Sequence, residues 1–161
     1  MKKESAGEKS AKDVYEELST KGEYKVVHID IAVIKTIIDI AIDDEKYLNY
    51  LLEQKTRNFR IIYRDYYTIL RELCDALIRL NGIKISNHQG CFAYICTKFP
   101  ELKLEWNLFE KIRKTRNLNI YEGKDILEQD WKEIEEKLKL YISIIKGEAN
   151  QRLKNVKNKT R

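Results

Sequence analysis

The stretch whose reading decides the fold is TRNFRIIYRDYYTILRELCDALIRLNG, Thr56 to Gly82. Ile62, Tyr66, Ile69, Leu73, Leu77 and Leu80 recur three and four residues apart. That is the period of one helix face, and a strand would alternate instead. The spacing predicts a helix over residues 56–81, and Asn81-Gly82 supplies residues that tolerate the left-handed conformation at its end. Working toward the C-terminus, Ser86 or Asn87 reads as the cap of a helix over 87–98, which Pro100 closes. A further helix is expected over 103–118, then a loop over 119–125 with a turn at Gly123. The last helix is expected over 126–154, with Ile126, Leu127, Trp131, Ile134, Leu138, Tyr141, Ile142 and Ile145 inward.

Toward the N-terminus the pattern is mixed. VVHIDIAVI, Val26 to Ile34, alternates briefly in β-branched residues, which makes a strand conceivable. The longer window favours a helix, because Val33, Ile37, Ile40 and Ala41, and Ile34, Ile38 and Ala41, recur at helical spacing and Leu48, Leu51 and Leu52 continue it. We read residues 25–53 as one long helix, bent near Asp43-Asp44. Its apolar face is wide enough for a central place in a bundle, or for a core seam plus a dimer seam. Val14, Tyr15 and Leu18 share a face of a short helix over Lys12 to Lys21. The fold expected is all-α: an up-and-down bundle of four to five helices with a long C-terminal helix, one domain over 12–154. A disordered N-terminus over 1–11 and a basic C-terminal tail over 155–161 would flank it.

Composition agrees with this class. In 161 residues, 43% hydrophobic and 35% charged, a single core can form without disulfide or metal staples. One proline and six glycines are too few for the many turns of an all-β chain. There is no run of 18 apolar residues. MKKESAGEKSAKD has no apolar segment of the kind a secretory leader carries. We therefore expect a cytoplasmic protein with no membrane partner, and reduced, buried thiols at Cys74, Cys91 and Cys96. The net charge of +5 permits an anionic partner without requiring one. Lys146, Arg152, Lys154, Lys157, Lys159 and Arg161 stand against Glu148 alone near the C-terminus. They read as a solubilising tail or as non-specific phosphate contacts.

Three groups of residues are candidates for chemistry. Arg57, Arg60, Arg64 and Arg71 fall within an arc of about 60° opposite the core stripe, given about 100° per residue. Such a face is either merely solvated or suited to bidentate phosphate contact. His88, Cys91 and Cys96 lack the spacing of a metal-ligand pair, and no second pair occurs elsewhere, so neither metal nor cofactor is expected. His28 lies in an apolar run and reads as a packed residue. No Gly-rich phosphate loop and no nucleophile elbow is present. The third group is KIRKTRNLNIYEGKDI, Lys111 to Ile126, in which Arg113 and Arg116 share a face and Asn117, Asn119 and Gly123 suit a helix end. It is either an ordinary basic helix terminus or an anion site built on Arg116.

RNLNIYEGKDI, after a region ending in LRELCDALIRLNGIKISNHQGCFAYI, resembles the HEPN superfamily (higher eukaryotes and prokaryotes nucleotide-binding) over residues 25 to 145. The mark of that family is Arg, commonly followed by Asn, then His four to six residues on, at a helix end in a four- or five-helix bundle. The resemblance implies a homodimer that brings two motifs into one cleft. Many members are metal-independent endoribonucleases, often toxins paired with minimal nucleotidyltransferase antitoxins or parts of defence systems. Others are inactive binding or scaffold domains. By position, Arg116 matches the motif arginine and Asn117 the residue after it, but Tyr121 stands where the motif has His. A mostly archaeal branch carries Arg-Asn, Tyr and Gly at this spacing, and Arg116, Asn117, Tyr121 and Gly123 fit it.

The substitution matters, because a tyrosine of reference pKa about 10 must shift by roughly three units to act as a base at neutral pH. Loss of a general base costs about 10² to 10⁴ in rate. The expectation is therefore a catalytically degenerate module that binds RNA or a nucleotide through Arg113, Arg116, Asn117, Asn119 and Tyr121. A metal-independent endoribonuclease toxin, with Arg116 and Tyr121 catalytic, and a purely structural helical dimer are the alternatives.

Overall fold

The computed structural model describes residues 7–159. Expectations for residues 1–6 and 160–161 lie outside the described residues. The fold is an all-α bundle with a long C-terminal helix. The elements in order are α1 (Ala11–Thr20), β1 (Lys25–Val26), α2 (Ile31–Leu52), α3 (Phe59–Arg79), β2 (Ile83–Lys84), α4 (His88–Lys98), a 3-10 turn (Pro100–Leu102), α5 (Trp106–Glu122), α6 (Glu128–Lys132) and α7 (Glu135–Lys159).

Helix α3 is the axis of the bundle, and α2, α4, α5 and α7 pack around it. Its buried set is wider than a single stripe and includes Tyr63, Tyr67, Leu70, Cys74, Ala76 and Ile78 besides Ile62, Tyr66, Ile69, Leu73 and Leu77. Asn58 begins it by accepting a hydrogen bond from the Ile61 N–H at 3.2 Å, which satisfies one of the free donors of the first turn. Helix α1 lies on α4. That approach is close at Gly90, where an added Cβ would stand 2.5 Å from Ile85 Cδ1 and 2.6 Å from Leu18 Cδ1.

Four boundaries differ from the sequence reading, each for a physical reason. Residues 25–30 are not helical. Lys25 and Val26 pair with Lys84 and Ile83, the Val27 N–H bonds the Gly82 carbonyl at 2.8 Å, and the Asp30 carboxylate caps α2 through the Val33 N–H at 3.1 Å. His28, on this extended lead, is exposed rather than packed. Helix α5 continues through residues 119–122, which the sequence assigns to a loop, and ends at Gly123 with φ +67°. The last helix is two: α6 stops after one turn over the buried Trp131, and α7 begins three residues later, while Leu127, expected inward, caps the start of α6 and is exposed. Helix α7 also runs on to Lys159, so residues 155–159 are helical rather than a loose tail.

The wide apolar face of α2 is present. Ile34, Ile38, Ala41 and Leu48 are buried against the bundle, whereas Val33, Ile40, Tyr47 and Tyr50 are exposed.

Phe109 fixes α5 to the rest of the core. It is fully buried, stacked on Phe92 at 4.7 Å and tilted against Tyr141 at 5.3 Å. Phe109→Ala is expected to destabilise the protein by about 3–5 kcal/mol, through lost burial and an unfilled cavity. The midpoint of urea unfolding should fall with little change in slope.

Candidate phosphate site

Residues 113, 116–117 and 120–121 of α5 are spaced to share one helix face. That face meets the start of α4, and together they form an open cleft of about 210 Å3 lined by Asn87, His88, Gln89, Arg113, Arg116, Asn117 and Tyr121. The structure thus brings Arg113, Arg116, Asn117 and Tyr121 together, as their positions in the sequence suggest. Asn119 does something else. Its side-chain amide donates to the Lys124 carbonyl at 2.8 Å and closes the end of α5, so it is not part of the pocket wall.

The two arginines are held differently. Arg113 donates through Nε and Nη2 to the Glu110 carboxylate at 2.9 and 3.0 Å. Glu110 is nearly buried at 8% exposure and also accepts from Gln89 Nε2 at 3.0 Å. The Glu110 hydrogen bonds push the Arg113 guanidinium up, so its charge is firm but compensated. Arg116 has no carboxylate partner among the described residues. Its Cζ lies 5.2 Å from the centre of the Tyr67 ring, its Nη1 donates to Asn117 Oδ1 at 3.2 Å, and its buried Nε is without a hydrogen-bond partner. A guanidinium held by a ring face keeps its full charge.

Three side chains at this site escape sequence reading. Tyr67 comes from α3, fully buried beneath Arg116. His88 opens α4, with its ring stacked on Tyr67 at 5.8 Å and its Nδ1 2.9 Å from the Tyr67 hydroxyl. Glu110 is the third. Glu110 leaves a trace in the sequence as an acid three residues before Arg113, whereas His88 stands out there only beside Cys91 and Cys96.

Burial, with the charges of Arg71, Arg116 and Arg113, pulls the His88 pKa down to about 4. Burial outweighs the same arginines at Tyr67 and pushes its phenol up. Both groups are neutral at pH 7. The Tyr67 hydroxyl keeps its proton and has no other partner among the described residues, so it donates to Nδ1. The neutral imidazole then carries its own proton on Nε2. The groups lining the pocket are therefore dominated by donors.

The remaining arginines do not form one phosphate-binding face. Arg57 lies 3.6 Å from Glu128, Arg60 3.7 Å from Asp125 and Arg64 3.6 Å from Asp65. The acids that compensate Arg57 and Arg60 arrive from the segment after α5, which helix geometry on α3 alone cannot reveal. Arg71 has no carboxylate partner among the described residues and acts on His88 instead. A wider depression, about 650 Å3, lies at the start of α3 between Arg57, Phe59, Arg60, Ile126 and Leu127. Its arginines already face Asp125 and Glu128, so it offers less to an anion than the smaller pocket. No three His, Cys, Asp or Glu side chains come together as metal ligands among the described residues.

The His88 shift has a consequence for stability. Its pKa lies below the ordinary 6.5, so the unfolded chain binds the proton more tightly, and the contribution of the neutral ring is lost as pH falls from about 6.5 to about 4. Wild-type protein should lose about 1–3 kcal/mol more than His88→Asn over that window, measured by urea unfolding at each pH.

No protein-family model, no curated protein and no solved structure matches this chain.

Proposed function

We propose that the protein is a HEPN-like RNA- or nucleotide-binding module without efficient catalysis, and that it works as a homodimer. The observation that carries this reading is the Arg116 guanidinium. It lies in a pocket of donors, without a carboxylate of its own, held on a buried aromatic ring. A phosphate oxygen is the acceptor such a group lacks. Tyr121, 75% exposed beside the pocket, offers a ring on which a base can stack. Exposed Ile120 and Tyr121 are the apolar surface that a second copy would cover if two pockets share one cleft. A minimal nucleotidyltransferase antitoxin as partner, a place in a toxin–antitoxin or defence system and a cytoplasmic setting belong to the same reading.

The endoribonuclease alternative gains a histidine from the pocket, but not a base. His88 Nε2 carries its proton as long as Tyr67 donates to Nδ1, so it cannot accept one from a ribose hydroxyl in that state.

Filter binding of labelled single-stranded RNA in EDTA tests the reading. Affinity should fall steeply with salt, and Arg116→Ala should weaken binding and lower the slope of log affinity against log salt by about 0.7, while Lys12→Ala leaves both unchanged. Equal binding by wild type and Arg116→Ala, or none at low salt, would overturn the proposal. RNA cleavage in EDTA that disappears in Arg116→Ala would instead favour the endoribonuclease.

A further inference from the structure

Resting on the reading of this pocket as a phosphate site, we infer that its ligand is a terminal phosphate monoester, of a mononucleotide or of a phosphorylated RNA end, and that His88 meets it as an imidazolium.

Charge is the first argument. Of the arginines that line the pocket, Arg113 is compensated by Glu110 and Arg116 has no carboxylate partner among the described residues; Arg71 is not part of the wall, but its charge acts on His88 and it too has no carboxylate ion pair among the described residues. Two uncompensated positive charges match a monoester, which carries about −1.5 to −2 at pH 7. An internal phosphodiester carries a single negative charge and would leave one of them unanswered.

Size is the second. About 210 Å3 is less than the ~300–1,000 Å3 of pockets that enclose a whole small ligand. There is room for a phosphate group and its ester oxygen, with the nucleoside left outside against Tyr121. A chain end enters such a pocket more readily than the middle of a strand, which must also leave it.

The third argument is the wiring of His88. The groups facing its ring are Tyr67 and Arg71 from α3, and Arg113 and Arg116 from α5 with Glu110 behind Arg113. Gln89, beside it on α4, is uncharged. No carboxylate bonds the ring. In the protein alone, burial and three arginines keep it neutral. A dianion among the same arginines cancels their repulsion and adds an opposite charge, so the ring gains a proton from solvent at Nδ1. The Tyr67 O–H then turns, and its oxygen accepts from Nδ1–H where it previously donated. Nε2–H is then the ring's donor to the phosphate in both states, and protonation strengthens that bond. The one bond made is Nδ1–H, from a solvent proton, and the phosphate ester stays intact.

The chain has two histidines, which makes the test direct. Long-range proton–nitrogen NMR of the uniformly labelled full chain reports the tautomer and charge of each ring, and exposed His28 is the internal reference. Spectra would be followed from about pH 4 to about pH 8. The probes are adenosine 5′-monophosphate, a short oligoribonucleotide with a 5′-phosphate, and the same oligonucleotide without it. Free protein should show His88 as the Nε2–H tautomer, charging only near pH 4.

With a monoester, the His88 midpoint should rise from about 4 to about 7 or above, a roughly thousandfold or greater preference for the charged ring, and a smaller rise, which leaves the ring neutral at pH 7, would overturn the imidazolium. The His28 midpoint should stay fixed, and the unphosphorylated oligonucleotide should do nothing to His88. A shift with the mononucleotide alone, or with the phosphorylated end alone, says which source the site takes, and either supports the inference. Chemical-shift changes at Arg116 and Asn117 with an unmoved His88 midpoint would overturn the inference and leave the phosphate reading standing. Equal effects of the two oligonucleotides would refute the terminal phosphate. No perturbation of the pocket by any probe would remove both.

Discussion

Everything in this molecule is arranged around the burial of α3. A helix of 21 residues with eleven buried positions cannot be covered by one neighbour, and α2, α4, α5 and α7 each take a sector. Each fully buried Leu or Ile contributes on the order of 1.5–3 kcal/mol, against a chain-ordering cost of similar total size. The covering helices are therefore obligatory rather than decorative. They also place the functional surface, because α4 and α5 meet where both rest on the same part of α3. Tyr67 stands at that junction. Its ring belongs to the core, and its hydroxyl and ring face belong to the site.

The helical period made α3 and the central parts of α2, α4, α5 and α7 legible in the sequence. The parts that were not legible depend on partners distant in the chain. Val26 and Ile29 look like the start of a helix face because β-branched residues occur in both states. What keeps Val26 extended is β2, which lies beyond α3. Asn117 and Asn119 look like helix breakers. Asn119 instead turns its amide onto the Lys124 carbonyl from within the last turn, and Gly123 does the terminating. The start of α7 carries no such signal, and no residue type announces the break over Trp131.

The site was half legible for the same reason. Arg113, Arg116, Asn117 and Tyr121 lie on one helix, so their spacing predicts that they meet. His88 and Tyr67 join them only through packing of three helices, whereas Glu110 meets Arg113 from the same helix. His88 was visible beside Cys91 and Cys96 as a metal candidate, and nothing in that spacing discloses a phenol beneath the ring. The arc of Arg57, Arg60, Arg64 and Arg71 shows the opposite failure. Their angular relation on α3 is real, but Glu128, Asp125 and Asp65 turn three of them into paired surface charges.

That contrast identifies what distinguishes Arg116. An arginine needs something to hold its long side chain, and the usual partner, a carboxylate, also cancels the field that would attract an anion. Arg57, Arg60, Arg64 and Arg113 all meet carboxylates. Arg116 is oriented by the face of Tyr67 and by one amide oxygen, neither of which carries a net charge. The ring can do this because it is immobilised in the core, so the ordering cost is met by burial that α3 requires in any case. The same phenol fixes the tautomer of His88. One buried tyrosine thus organises two donors for an anion without adding a negative charge to the pocket. Glu110 plays the complementary part, compensating Arg113 so that its guanidinium can tolerate being largely buried.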